Sequence, residues 1–414
     1  KKSLPANHPL LATSYNNIGN VYDSMGEYSQ ALEYYEKSLE IYKKSLPANH
    51  PLLATSYNNI GNVYNYMGAY SQAFEYYEKS LEIRKKSLPA NHPDLATSYN
   101  NIGSVYNNKG EYSQALEYYE KSLEIRKKSL PANHPLLATS YNNIGNVYNY
   151  MGAYSQAFEC FEKSFEIYKK TLPANHPSLA NSYNNIGSVY DNMGEYSKAL
   201  EYYEKDLEIM IETLPANHPS LATSYNNIGL VYNSMGEYSK ALEYYEKSLE
   251  IKKKTLPANH PSLATSYNNI GLVYKSMGEY SKALEYYEKS LEIRKKTLPA
   301  NHPLLATSYN NIGNVYNYMG AYSQAFEYYE KSLEIRKKSL PANHPLLATS
   351  YNNIGWVYRN KKDYKKALNY YERALDIWQR SLPSNHPDIQ SVKQSIDFVK
   401  KEAVTRFVFS MHKK

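Results

Sequence analysis

Cysteine is almost absent: Cys160 is the single one in 414 residues. One thiol excludes an internal disulfide, and the composition suits a reducing, cytoplasmic setting. Tryptophan is nearly as scarce, at two residues, Trp356 and Trp378. Long apolar runs are missing altogether. No stretch of about 18 apolar residues occurs, and mean hydropathy is −0.68, which excludes a membrane-spanning helix. The 17 glycines occur singly, so no phosphate-cradling loop is formed. The chain opens on Lys1 with no Met and no signal peptide, as expected of a piece of a longer protein.

What is present is aromatic and charged. The 48 tyrosines and 21% charged residues, beside 42% hydrophobic ones, exclude a disordered chain. Counts of 20 prolines and 11 histidines suggest one unit copied many times. The segment Lys1–Tyr42 recurs from residues 43, 85, 127, 169, 211, 253, 295 and 337. Two prolines and one histidine per Leu-Pro-x-Asn-His-Pro segment account for every proline and for all histidines but His412. Residues 1–378 therefore read as nine tandem 42-residue repeats, and 379–414 as a partial tenth. Charge is uneven. Residues 1–336 sum to −2 and residues 337–414 to +9.

Within a repeat the pattern has a helical period. Leu11, Tyr15, Ile18, Tyr22 and Met25 cluster on one side; Asn16, Asn17, Asn20, Asp23 and Ser24 lie opposite. Pro9 suits a first helical turn and Gly26 a left-handed C-terminal cap, so a helix A is predicted over 9–25. Tyr28, Ala31, Leu32, Tyr35, Leu39 and Tyr42 space a helix B from Glu27 to about Leu46, where Pro47 stops it. A helical hairpin in tandem copies gives an all-α fold, an α-solenoid of nine helix-turn-helix repeats. The segment Pro387–Phe407 places Ile389, Val392, Ile396, Val399 and Ala403 on one side, and is predicted to be a C-terminal capping helix, longer than helix A. Lys1–Leu4 reads as the tail of a preceding helix B. The lack of a matching N-terminal cap predicts self-association through exposed terminal repeats.

At this level of detail the repeat resembles the tetratricopeptide (TPR) superfamily. Tyr15, Asn17, Ile18, Gly19, Val21, Tyr22, Gly26, Tyr28, Ala31, Tyr35, Ser38 and Ile41 fall on its usual motif positions, with Ser38 where alanine is customary. The longer 42-residue form is similar to the repeats of kinesin light chains, of nephrocystin-like proteins and of arrays attached to signalling NTPases. The heptad segment by which kinesin light chains join their heavy chain is absent. The resemblance implies a right-handed superhelix whose concave groove is lined by helix A. It also implies that asparagines at Asn17 and its equivalents hold a peptide main chain.

Ten evenly spaced histidines invite a metal reading, yet metal ligands must converge within a few ångström. Equivalent loops in stacked helix pairs are expected about 15–20 Å apart, taking two packing distances. No metal and no other cofactor is expected. Cys160 stands where Tyr34 does in its repeat and reads as a neutral substitution rather than a nucleophile. No Ser, His and acid constellation departs from the repeat, so the chain is not expected to be an enzyme. Tyrosines can stack on single-stranded nucleic acid, but here most fall on core positions. A nucleic-acid channel also needs positive charge along its length, and the first eight repeats lack it. Neither nucleic acid nor a membrane is an expected partner; a weaker contact of that kind would fall on the basic residues 337–414.

The polar face of helix A remains. Asparagine pairs recur as Asn16 and Asn17, Asn58 and Asn59, Asn100 and Asn101, Asn142 and Asn143, and Asn184 and Asn185. They continue as Asn226 and Asn227, Asn268 and Asn269, Asn310 and Asn311, and Asn352 and Asn353. An amide offers donors and an acceptor, so such a ladder can hold an extended peptide or bond neighbouring helices. The position of Asn20 varies as Asn62, Ser104, Asn146, Ser188, Leu230, Leu272, Asn314 and Trp356. Leu230 and Leu272 predict an apolar patch. Trp356, with Arg359 one helical turn on, predicts a preference for an acidic ligand carrying an apolar anchor. The expected function is a non-enzymatic scaffold that binds extended peptide segments of partner proteins. The alternative is a structural or self-associating array that spaces domains outside this segment.

Overall fold

The computed structural model describes residue 5 and residues 7–411, with side chains to residue 405. Lys1–Leu4, the predicted helix tail, lie outside the described residues. Contacts divide the chain into two compact units, residues 1–213 and 214–414. The described residues form 19 helices and no strand. The first unit is five hairpins: α1 (Pro9–Ser24) with α2 (Tyr28–Ser45), α3 (Pro51–Tyr66) with α4 (Tyr70–Ser87), α5 (Pro93–Asn108) with α6 (Tyr112–Ser129), α7 (Pro135–Tyr150) with α8 (Tyr154–Thr171), and α9 (Pro177–Asn192) with α10 (Tyr196–Thr213). The second is four hairpins and a cap: α11 (Pro219–Ser234) with α12 (Tyr238–Thr255), α13 (Pro261–Ser276) with α14 (Tyr280–Thr297), α15 (Pro303–Tyr318) with α16 (Tyr322–Ser339), α17 (Pro345–Asn360) with α18 (Tyr364–Ser381), and α19 (Pro387–Met411). No described helix is long and apolar enough to cross a membrane.

Local signals set the helix ends. Proline opens each helix A, and the histidine before it is the N-cap. The Leu10 N–H donates to His8 Nδ1 at 3.2 Å, and the same bond forms before the other helices A and before α19. The histidine row thus satisfies backbone donors that a helix start leaves open. At the other end Gly26 turns the chain at φ 75°. Lys362 adopts φ 62° where the other eight repeats have glycine, a conformation that costs a residue with a Cβ about 1–2 kcal/mol.

Helices A and B cross where glycine faces an aromatic ring. A Cβ on Gly19 would sit 2.7 Å from the Tyr35 ring, so the close approach requires glycine. In the second repeat the serine at the customary alanine position donates a hydrogen bond, Ser80 Oγ to the Ala54 carbonyl at 2.8 Å, whereas the buried hydroxyls of Ser38 and Ser164 have no hydrogen-bond partner. Outside this buried layer a second aromatic group closes the hairpin. The Tyr34 ring lies 6.0 Å from Tyr15 and stacks 5.4 Å from Tyr22, a role the sequence pattern does not reveal. In the fourth repeat Cys160 takes the middle place, between Tyr141 and Tyr148. Burial pushes its thiol pKa up, away from the thiolate a nucleophile needs. Restoring the ring with Cys160→Tyr is expected to stabilise the protein by about 0.5–1.5 kcal/mol, measured as a shift in the denaturant midpoint at constant slope.

Successive repeats are latched by a buried cation. Arg84, at the end of α4, donates to Ser98 Oγ at 2.7 Å and to the Asp94 carbonyl at 3.1 Å, both in α5. Arg126, Arg294 and Arg336 make the same contacts one repeat on. Burial lowers their pKa values, that of Arg336 to about 10. At the C-terminus Ile389, Val392, Ile396 and Val399 of α19 are buried against α18, as predicted. Ala403 is exposed, contrary to expectation. Glu402 already faces Tyr364, the first residue of α18 (3.4 Å), so the cap runs past the surface it covers.

Candidate interaction face

The asparagine pairs sit along the polar face of helix A and bond from repeat to repeat. Asn59 donates its amide to Asn16 Oδ1 at 3.1 Å, Asn101 to Asn58 at 2.9 Å, and Asn143 to Asn100 at 2.9 Å. In the second unit Asn269 donates to Asn226, Asn311 to Asn268, and Asn353 to Asn310, at 3.0–3.3 Å. Successive helices A therefore touch directly within each unit. From Asn58 to Asn353 these residues are half-buried, Asn184, Asn185 and Asn227 included, whereas Asn17 in α1 is exposed.

A second amide track runs two helical turns further on. Asn108 donates to Asn65 Oδ1 at 3.2 Å and Asn192 to Asn149 Oδ1 at 3.1 Å. The sequence hints at it only through the seven-residue offset from the first track. Between the tracks, the Asn20 position serves the core. Tyr35 donates its hydroxyl to Asn20, Tyr77 to Asn62 and Tyr329 to Asn314, at 2.7–2.8 Å. Asn146 has no such partner, because Phe161 carries no hydroxyl. Leu230 is exposed and Leu272 half-buried, and Leu272 leaves the buried Tyr287 hydroxyl without a hydrogen-bond partner. Leu272→Asn is expected to supply that acceptor and add about 1 kcal/mol of stability, read from thermal denaturation; Leu272→Ala gives no such gain.

At the end of the second unit the face closes into a cavity of about 650 Å³. Asn352, Asn353, Trp356 and Arg359 of α17 line it with Tyr318 of α15 and Phe398 of α19. Trp356 and Arg359 are thus brought together as their spacing predicted. Phe398 was not anticipated, since it lies off the buried stripe of the cap; the Arg359 guanidinium stacks 3.9 Å above its ring. Lys361 instead donates to Ser323 Oγ at 3.2 Å. Among the described residues, no group of three or more His, Cys, Asp or Glu could hold a metal ion.

Comparison with protein families matches the tetratricopeptide repeat over residues 11–52 and, in overlapping stretches, over 52–380. The chain belongs to the tetratricopeptide repeat family. Curated proteins give no match. Among solved structures, a TPR-like repeat array from a putative kinesin light chain of Podospora anserina is 29% identical over 50% of this chain and 98% of its own, with a TM-score of 0.45. The quorum sensor NprR of Bacillus thuringiensis is 18% identical over 88% of this chain and 98% of its own, at a TM-score of 0.60. A signal transduction ATPase with a TPR sensor from Pyrococcus horikoshii is 17% identical over 84% of this chain and 52% of its own, also at 0.60. The last two likenesses concern the TPR fold.

Proposed function

We propose that this TPR chain is a non-enzymatic interaction scaffold that takes extended peptide segments of partner proteins along the asparagine face of its helices A. The observation that carries this reading is the cavity of about 650 Å³ at the end of that face. It gathers amides, aromatic rings and one cation from four helices, α15, α16, α17 and α19, the mixture that orients a ligand while burying part of it. The asparagine ladder alone favours the structural alternative, because each bond between repeats uses capacity a peptide would need.

The test is a pull-down from cell extract with the unaltered chain beside two variants, one with Asn101, Asn143 and Asn185 replaced by Ala, the other Trp356→Ala with Arg359→Gln. Both should keep their helical content by circular dichroism and lose partners. Partners retained by both folded variants would sink the scaffold reading. Mass that grows with concentration in light scattering, with no partner present, would favour the spacer and self-association alternative.

A further inference from the structure

We propose that the fourth repeat holds a binding site for a small planar aromatic cation, which stacks at the one place in the array where a repeat lacks its middle aromatic ring. The site is independent of the asparagine face. Tyr141, part of its wall, stands at the position of Tyr15, on the side of helix A opposite Asn16 and Asn17.

The first argument is the vacated place. In the other eight repeats a tyrosine of helix B stands between two tyrosines of helix A. Its ring lies 6.0–6.2 Å from the first and 5.4–5.6 Å from the second. Such spacings suit paired aromatic rings, whose centroids prefer to be about 4.5–7 Å apart. In the fourth repeat the flanking rings, Tyr141 and Tyr148, are present, but Cys160 stands in place of the middle one. The nearest aromatic residues of α8 are engaged elsewhere. Phe161 is buried against Gly145, and Phe165 pairs with Tyr183 of α9 at 5.0 Å.

The second argument is a cavity in the same hairpin. About 570 Å³ in volume, it opens against Leu137, Tyr141 and Ile167 and runs on to Glu159 and Glu162, which bracket Cys160 in α8. Small-molecule sites span about 300–1,000 Å³ and combine apolar walls with a few polar groups. The corresponding cavity of the sixth repeat, where Tyr244 is in place, is about 500 Å³ and lies against Tyr225, Lys247, Glu250 and Ile251. Glu243 and Glu246, the counterparts of Glu159 and Glu162, are not among its walls. The cavity reaches those positions where the middle ring is missing.

Charge selects the ligand. In seven other repeats the glutamate before the middle tyrosine pairs with the lysine four residues on, at 2.5–2.7 Å. That lysine lies over the tyrosine ring, 5.0–5.2 Å from its centroid. Without the ring, Lys163 lies over Tyr141 at 5.9 Å, and among the described residues Glu159 makes no ion pair. Glu166, also in the wall, makes none either, whereas its counterpart Glu82 binds Lys86 at 2.6 Å. The cavity thus sets three carboxylates, Glu159, Glu162 and Glu166, against two lysines, Lys127 and Lys163. A ring bearing a positive charge restores both the stack and the cation that Glu159 lacks.

The experiment is calorimetric titration of the full chain with tyramine, beside p-cresol (the ring alone), 4-hydroxyphenylpropionate (ring and anion) and butylamine (cation alone). Tyramine should bind one equivalent, about fivefold more tightly than p-cresol, as a partly exposed charge pair allows. The anion should bind more weakly than p-cresol, and butylamine should not bind measurably. Cys160→Tyr puts the repeat's own ring in the site without harming the fold, and should weaken tyramine about tenfold or more, since the ligand then loses its stack. Glu159→Gln with Glu166→Gln should remove the preference for tyramine over p-cresol and leave p-cresol unchanged. Tyr244→Cys, checked as folded by circular dichroism, should bind a second equivalent. Undiminished binding of tyramine to Cys160→Tyr would overturn the inference, and so would no binding to the unaltered chain. Neither result touches the peptide reading of the asparagine face, which its own variants test.

Discussion

Raised from about pH 9 to about pH 12, the protein is expected to lose its helical circular dichroism together with the appearance of phenolate absorbance. The cause is the aromatic layer between helices A and B. Tyr35, Tyr119 and Tyr371 are at most 4% exposed, and burial pushes their pKa values up to about 12. Tyr77, Tyr203, Tyr287 and Tyr329 are pushed higher still by the same desolvation. The unfolded chain ionises its tyrosines near 10. Above that pH it releases protons that the folded chain retains, so the stability is fully present below pH 10 and falls as pH rises toward 12. A shift of this size is on the order of 2–3 kcal/mol for each such tyrosine. Because each repeat contacts only its neighbours, losses in adjacent repeats add up within that stretch. Tyrosines that ionise at their ordinary pH while the helices persist would contradict this. Tyr119→Phe, which copies what Phe161 already is in the fourth repeat, should move the transition to higher pH.

Gly103→Ala is the substitution expected to do most damage for its size. The added Cβ would lie 2.8 Å from Cδ1 of Tyr119, well inside contact distance. The ring cannot swing aside cheaply, because it is wedged between α5 and α6 and is 4% exposed. Overpacking of this kind costs about 1–3 kcal/mol. The upper end applies because the obstacle is the body of a buried ring rather than a flexible tip. Equilibrium denaturation should show the loss. A double-mutant cycle with Tyr119→Leu should recover most of it, since the two changes share one space. Gly110→Ala gives a contrast: nothing lies within 4 Å of its Cβ, and its cost comes from φ 76° alone. A loss at Gly103 no greater than at Gly110 would show that the crossing is looser than its contacts indicate.

The hairpins were legible because their signals are local. Proline at the start of helix A, glycine after it and proline after helix B fall within a residue or two of the helix ends. The 42-residue period then fixes the number of hairpins. The cap was legible for the same reason, its stripe of Ile389, Val392, Ile396 and Val399 having an uninterrupted helical spacing. The interaction face was legible only in part. Its residues could be named, but not what each one touches.

Sequence alone therefore determined the all-α hairpin array, its helix boundaries and the aromatic and small residues of its core. Tertiary structure decided the roles of the polar groups. Arg84 resembles any cation in a last helical turn, until α5 brings Ser98 against it. Asn16 and Asn59 stand 43 residues apart, and no local pattern says that they bond. Phe398 looks like a surface residue of the cap until α17 places Arg359 over its ring. Apolar periodicity reports which side of a helix is buried. A hydrogen bond or ring stack depends on distance and direction to a partner from another helix, and only the packed chain sets those.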